Sequence, residues 1–544
     1  MILPIERNKS KKVISVILTV CLFAFLGLIF YVNLSCNPEY YDGDIYADIN
    51  YAKEAWRAKS LFPPNWIFGN QTYVVATPVL AALFYGMIGD AFTAMAAASC
   101  VMTVLVVLTY DWMMKPIFSY NRRTAGFLFL VGVLTLKAHV AVSQNGLQAF
   151  FTMASYYSCY LITAFVVYGC YIRIRQNKFR RLNIIPAVLG VALSFGTGMQ
   201  SLRQTAVMTL PLVGCEIILE IYDSVKNKKY TVTKSALFSA VIFAANVAGF
   251  YLMKTININQ DSIYGGAEFV GSLPEMAKRV FYNIEYIALT FGFDGSGTAV
   301  KIVTSVVFIA IILTGFVLCL KKFIKTGEDG EQLILMFLFA LGCAGVFGAG
   351  VFTNVNNRAL YYFMIYPLLA VCVSYLIGNI KKNDAMIYAA VSVFVLVSVI
   401  FRFIGTAGEI KTGKDENSVS HQIADYVLNN GYDTVYSVFG LSNSVKGAEN
   451  VVAASGDRIH LVQFKRMDRT LPMKPVTFLC NKNDFKNRDN AKSLYIFHGD
   501  FELKKAKELA KTYGVGMKVL EEFDGDIYIC KMSDNLCIYA DTQK

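Results

Sequence analysis

The feature that most constrains this chain is a succession of apolar runs, each about twenty residues long, separated by short loops where Lys and Arg collect. A helix of that length crosses the hydrocarbon core of a bilayer. Only helices and closed barrels satisfy every backbone group there, and these runs are too long for barrel strands. Eleven spans are expected, roughly 13–35, 91–114, 125–142, 149–172, 184–200, 204–222, 235–254, 301–320, 332–351, 358–378 and 385–404. Composition agrees: of 544 residues, 55% are hydrophobic and only 17% charged, which fits an integral membrane protein carrying some soluble mass. The net charge of +12 does not indicate nucleic acid, because the basic residues sit in short loops and leave no long tract to follow a phosphate backbone.

Orientation follows from the same loops. The groups from Arg7 to Lys12, Lys115 with Arg122 and Arg123, Arg173 to Arg181, Lys226 to Lys234, Lys321 to Lys325, and Lys381 with Lys382 are expected to be cytoplasmic. The run from Val13 to Val32 follows basic residues and has no small-residue cleavage site after it, so it reads as a retained signal anchor. The N-terminus is then inside, and the C-terminal part outside. On this parity Val74 to Gly89 does not cross, although it is apolar enough; the alternative is a true crossing compensated by the loss of one later span. Val74 to Gly89 is expected to be an interfacial or re-entrant segment broken by Pro78. Of twelve cysteines, eight lie in apolar segments; Cys36, Cys480, Cys530 and Cys537 lie in outer regions where pairing is possible, and no zinc spacing occurs.

The chain divides into a transmembrane part, 1–405, and a soluble α/β part, 406–544. Within the first, the outer loop 33–90 holds Asp42, Asp44 and Asp48 within seven positions. Ile45, Ile49, Ala52 and Trp56 share one face of a helix there, with Asp44, Asp48 and Tyr51 on another. Such a helix suits the membrane interface with its acids toward water, stopped by Pro63 and Pro64, with Trp66 and Tyr73 at headgroup level. The outer loop 255–300 has Gly-rich ends around an interfacial helix, Pro274 to Thr290, and is a lid candidate. In the soluble part, helices are expected at Ser420–Asn429 and Phe501–Tyr513, and strands at Thr434–Phe439, Leu494–Phe497 and Ile527–Met532.

Three groups can carry chemistry. Asp42 and Asp44 can cap the helix, act as a general base, or hold a divalent cation through oxygen ligands. Arg203 and Arg358 lie at outer ends of spans, where positive charge is disfavoured; a lipid-linked phosphate, or snorkelling to headgroups, explains them. Lys137 and His139, followed by Gln144, Asn145 and Gln148, stand at another outer end and can line the same cavity. Tyr156, Tyr157 and Tyr160 read as packing or belt positions that can also stack on a sugar or polyprenyl chain.

A first span, an Asp-rich outer loop, many further spans, an Arg leading into Ala359-Leu360-Tyr361-Tyr362 and Pro367, and a soluble C-terminal domain together resemble the GT-C superfamily of glycosyltransferases. The likeness is strongest to the protein mannosyltransferase and lipid A aminoarabinose transferase branch. It implies transfer of a sugar from a polyprenyl-phosphate donor to a glycan, lipid or protein acceptor on the outer face of the cell membrane. It implies a catalytic or metal-binding acid at Asp44 or Asp42, with Asp44 favoured, and Mg or Mn as the cation if one is used. It implies substrate contacts at Arg358, Arg203, Lys137, Asp48 and Tyr46. Where that family often carries His-Pro-Pro, this chain has Phe62-Pro63-Pro64. Two other classes stand beside it: a polymerase or ligase using a polyprenyl-diphosphate glycan, and a lipid-glycan transporter. The transporter predicts related halves and polar residues at mid-membrane, whereas here polar residues gather at span ends.

Overall fold

A computed structural model describes residues 4–35, 43–69, 71–136, 146–152, 155–228, 232–255, 268–292, 297–354, 358–380, 384–412, 418–438, 448–456, 458–464, 479–483 and 490–535. The helices of the first part are α1 (Pro4–Leu34), α2 (Gly43–Ala58), α3 (Thr77–Ile88), α4 (Ala91–Met114), α5 (Tyr120–Leu136), α6 (Gly146–Phe150), α7 (Ser158–Arg175), α8 (Ile184–Gln200), α9 (Leu210–Asn227), α10 (Lys234–Met253), α11 (Leu273–Thr290), α12 (Thr298–Thr326), α13 (Gly330–Phe352), α14 (Ile365–Asn379) and α15 (Asp384–Thr412). Among the described residues, eight segments are long and apolar enough to cross a membrane: α1, α4, α8, α9 with the π-turn before it, α10, α12, α13 and α15. A polytopic helical bundle with a small C-terminal sheet domain is therefore observed.

Helices α5, α7 and α14 form the bundle's interior. Every side chain of α7 from Ser158 to Arg173 is buried, as is most of α14. Small residues bring the helices together, as expected where the lipid supplies no hydrophobic drive for association. A Cβ on Gly126 of α5 would lie 2.1 Å from Ser374 Oγ of α14. A Cβ on Gly198 of α8 would lie 2.1 Å from the Asn246 carbonyl oxygen of α10, and one on Gly249 equally close to that of Phe195. Polar side chains lock the α8–α10 contact. Asn246 Nδ2 donates to the Ser194 carbonyl at 2.9 Å, and Ser194 Oγ to the Ile242 carbonyl at 3.1 Å.

Two local expectations change. Pro78 does not break the segment after the first loop; it stands in the first turn of α3, where its missing N–H costs no hydrogen bond. Helix α3 has 12 residues, about 18 Å at the α-helical rise, which is too short to cross ~30 Å of hydrocarbon. Gly89, at φ 83°, ends it, and Asp90 then caps α4 by accepting the Thr93 N–H at 2.7 Å.

Helix α2 is the larger correction. Its acids are not all turned to water: Asp48 is buried and Glu54 half-buried, and only Asp44 is exposed. Ile45 to Ile49, Tyr51 to Lys53 and Ala55 are all buried, because α3 and α4 cover one side and the C-terminal domain covers the other. The helix ends at Ala58, with Lys59 in the left-handed region (φ 50°), before Pro63 is reached. Trp66 and Tyr73 are not headgroup anchors; they pack with Tyr51, Phe62 and Phe68 in a buried aromatic cluster.

The C-terminal domain contains α16 (Val419–Asn429), α17 (Ala448–Ala454) and α18 (Gly499–Thr512), and its sheet has the order β3 (His460–Phe464), β2 (Thr434–Val438), β5 (Ser493–His498), β7 (Ile527–Met532), β6 (Met517–Phe523). The first three strands run parallel and the last two antiparallel. Strands β1 (Trp66–Ile67) and β4 (Cys480–Asn481) pair antiparallel, so a strand of the first outer loop is hydrogen-bonded to the C-terminal domain. Asn481 Nδ2 also donates to Glu54 of α2 at 3.2 Å, and buried Lys53 donates to the Ala453 carbonyl at 3.3 Å. Cys480 and Cys530 are free thiols; Cys36 and Cys537 lie outside the described residues.

Candidate active site

Three segments converge at the end of the bundle that carries α2. The first is the start of α2. Asp44 occupies its first turn, where the helix dipole favours negative charge. Asp44 is exposed to solvent, yet desolvation by the surrounding protein still raises its carboxyl pKa. The opposing influence on that carboxyl is the Arg358 guanidinium, which lowers it. Asp44 and Arg358 are thus electrostatic neighbours, although 314 positions separate them in the chain (358 less 44).

Arg358 leads the second segment, a 3-10 turn from Ala359 to Tyr362, and its carbonyl accepts the Tyr361 N–H at 3.0 Å. Helix α11 holds this segment in place. The Val270 N–H donates to the Phe352 carbonyl and the Asn354 N–H to the Glu268 carbonyl, both at 2.9 Å. Arg279 donates to the Thr353 carbonyl at 2.9 Å, Tyr362 OH to Asn283 Oδ1 at 2.6 Å, and Thr290 Oγ1 to the Ala359 carbonyl at 3.1 Å. The helix expected as a lid is therefore stitched along the Arg358 segment by both backbone and side chains. The Gly-rich residues 264–266 and 294–295, expected as its hinges, lie outside the described residues.

The third segment is the turn between α8 and the π-turn Thr205–Thr209, which carries Arg203. The Arg203 N–H donates to Ser201 Oγ at 3.2 Å, and Ser201 is in turn bonded to the Tyr160 hydroxyl at 3.1 Å. Three tyrosine rings surround the guanidinium, with centroids 4.8 Å (Tyr361), 5.1 Å (Tyr157) and 5.8 Å (Tyr160) from its central carbon. These are cation–π distances. Among the described residues no carboxylate pairs with this guanidinium and no acceptor takes its N–H groups. Tyr157 feels the charge of both Arg203 and Arg358, so the sequence Asp44, Arg358, Tyr157, Arg203 is continuous in space.

The first outer loop is sewn to the Arg203 turn. The Thr72 N–H and Oγ1 donate to the Gln200 and Met199 carbonyls at 3.2 and 2.7 Å, and the Val75 N–H donates to Gln200 Oε1 at 2.7 Å. Tyr73, between them, is bonded to the buried Asp48 carboxylate, and burial with that carboxylate pushes its phenol pKa well up.

The other expected site residues are distributed as follows. Asp48 lies one turn along α2 but faces Tyr73 and Tyr51 in the interior. Tyr46 is buried with its ring edge-on to Phe92 of α4, 5.9 Å between centroids, and packs in the core. Asp42, Lys137 and His139 lie outside the described residues. No group of three or more His, Cys, Asp or Glu gathers among the described residues. Of the pair expected to hold Mg or Mn, Asp42 and Asp44, only Asp44 is described, and its electrostatic neighbour is the Arg358 guanidinium. The tyrosine cradle is what sequence reasoning passed over. Its signal was present, since Tyr157 and Tyr160 are i, i+3 neighbours at the start of a span, and Tyr361 follows Arg358 by three.

No family model matches the sequence, and no curated protein is similar to it. Among solved structures, it is similar to ArnT from Cupriavidus metallidurans in the apo state, with a TM-score of 0.54 at 12% identity over 94% of this chain and 98% of that one. The structure of the same ArnT bound to undecaprenyl phosphate gives identical figures. An oligosaccharyltransferase from Archaeoglobus fulgidus in complex with Zn and sulfate reaches a TM-score of 0.38 at 9% identity over 80% of this chain and 62% of that one, too distant to bear on this chain. The likeness to ArnT is one of fold, and it runs through the membrane bundle and the C-terminal domain alike.

Proposed function

From the GT-C fold that it shares with ArnT, we propose that this chain is a membrane glycosyltransferase that moves a sugar from a polyprenyl-phosphate donor to an acceptor at the outer face. The observation that carries this reading is the juxtaposition of one carboxylate and two guanidiniums at the α2 end of the bundle. A phosphomonoester or diester needs cations with planar, paired donors, and Arg203 has its donors uncommitted among the described residues. The tyrosine rings keep that guanidinium in position without spending its N–H groups. That ArnT has been solved with undecaprenyl phosphate bound supports a donor of this kind.

The chemistry divides between the two charges. The acceptor hydroxyl attacks the anomeric carbon as the bond from that carbon to the phosphate oxygen breaks. Asp44 takes the hydroxyl proton, and its raised pKa makes it a better base than an ordinary carboxylate. The departing polyprenyl phosphate keeps the bonding electrons, and Arg203 and Arg358 stabilise the charge that develops on it. Attack from the face opposite the phosphate inverts the anomeric centre. Positioning of donor and acceptor at the α2 end supplies most of the remaining acceleration.

Purified Asp44→Ala and Arg358→Ala variants, assayed with a labelled polyprenyl-phosphate sugar, test the assignment. Loss of transfer in both is expected, and full activity in both overturns it. An essential Asp44 also separates this reading from a polyprenyl-diphosphate polymerase or ligase, which relies on arginines alone.

A further inference from the structure

The opposite end of the bundle holds a second cluster of ionisable groups, which the transfer reaction does not use. Arg175, at the end of α7, bonds Glu216 of α9 at 3.3 Å and Asp223 at 3.3 Å, so two carboxylates share one guanidinium. Glu216 also accepts from Tyr171, from Thr233 Oγ1 at 2.9 Å and from Ser235 Oγ at 2.6 Å, and is saturated. Glu220, one turn further along α9, is different. Its one polar contact among the described residues is the Thr233 N–H, at 3.2 Å. It is half-buried, and no cation stands within ion-pair distance of it there. Among the described residues, the neighbourhood therefore has three carboxylates for one paired cation.

Glu220 lines a groove of about 410 Å³ between α9 and α10, a volume typical of small-molecule sites. The walls are mainly aliphatic, with Ile217, Ile221 and Val225 from α9 and Ala236 and Ala240 from α10. One more wall residue is Ser239, a buried serine whose Oγ has no hydrogen-bond partner among the described residues. A serine within a helix normally returns its hydroxyl to the carbonyl four residues back, as Ser374 and Ser392 do here. Leaving it unmade in an apolar wall is costly. The groove thus offers an aliphatic channel, an unfilled hydroxyl and, at one end, an uncompensated carboxylate. Exposed Lys228 and Lys234 stand at either end of the adjoining α9–α10 connection.

We propose that this groove holds a membrane phospholipid with a primary ammonium headgroup: the ammonium at Glu220, the glycerol ester region at Ser239 and an acyl chain along the aliphatic wall. The lysines near the connection complement the phosphate of such a zwitterion. A phosphatidylglycerol headgroup has no ammonium for Glu220, and a choline headgroup has no N–H to donate. An ionisable group within an apolar helix long enough to span a membrane is a functional hypothesis by default, and this one has a stated partner.

The test uses the full-length protein, purified and exchanged into micelles holding equal amounts of phosphatidylethanolamine, phosphatidylcholine and phosphatidylglycerol with identical chains. Native mass spectrometry counts the lipids retained. Retention of phosphatidylethanolamine over either competitor by about tenfold is expected, the size of one charge-assisted hydrogen bond. Glu220→Gln should bring that preference to near parity, and Ser239→Leu, which fills the groove, should lower retention of all three. Equal retention of the three by the unaltered protein, a preference for phosphatidylglycerol, or an undiminished preference in Glu220→Gln each overturns the proposal. Unchanged retention in Ser239→Leu does so as well, since the lipid then lies elsewhere.

Discussion

The two ends of the bundle both bury charge, but they do so in opposite ways. At the end away from α2, Glu216 is 4% exposed and every lone pair has a donor: Arg175, Tyr171, Thr233 and Ser235. At the α2 end, Arg203 is held by the faces of three rings, which orient a cation while leaving its N–H groups open. A saturated cluster is a structural clamp between helices. An oriented cation with open donors is half of a binding site. Burial of charge does not separate the two cases, whereas the count of unused hydrogen bonds does.

The comparison can be broken most directly at the α2 end. Asp44→Asn should lower transfer by about 10²–10⁴-fold, the range of a lost general base, measured as initial rate at saturating donor. Arg203→Ala should lower it by about 10²–10³-fold, and Arg203→Lys should restore only part of that, because an ammonium lacks the planar fork. An unimpaired Arg203→Ala enzyme would mean that the tyrosine cradle is a packing device like the clamp at the other end.

A pH profile sharpens the same point. Burial raises the Asp44 carboxyl pKa and Arg358 lowers it. The base form is the ionised one, so activity falls as pH drops through that pKa, and the acid limb of kcat/KM should lie above the usual carboxylate range. Removing Arg358 deletes the influence that favours ionisation. In Arg358→Ala, the acid limb of the residual activity should move to higher pH. A move to lower pH would show that the two groups do not face each other.

At the opposite end the expected effect is on stability. Arg175→Ala strands Glu216 and Asp223 without their cation and should cost about 3 kcal/mol, read as a lower unfolding temperature of the purified protein. Transfer per folded molecule should hold near the original rate. The smallest change concerns the contact between α2 and the C-terminal domain. Lys53→Met removes the bond to the Ala453 carbonyl and should cost about 1 kcal/mol, seen as faster amide exchange in α17.

Much of the architecture was legible because hydropathy is local. A window of twenty residues carries the information for a span, and helices appear at each of the expected positions. In the C-terminal domain α16, α18, β2, β5 and β7 were legible for the same reason, from runs of one periodicity. Strand β3 and strand β6 were not. The second alternates poorly, with Glu521 beside Glu522. Arg203 and Arg358 were singled out because positive charge at the outer ends of spans demands a reason, and Asp44 by its acidic loop and the family resemblance.

What the sequence by itself determined is the membrane character of the chain, the order of its apolar helices and the short list of charged residues at their ends. Each depends on transfer free energies that add residue by residue along a short window. Only the tertiary structure decided that α2 is enclosed and not interfacial, since the residues covering it, Ala453 and Asn481, are about 400 positions away. Only it decided that Tyr361, Tyr157 and Tyr160 surround Arg203, and that Arg358 faces Asp44. Burial and ring stacking are properties of neighbours in space, and a sequence window contains only neighbours in the chain.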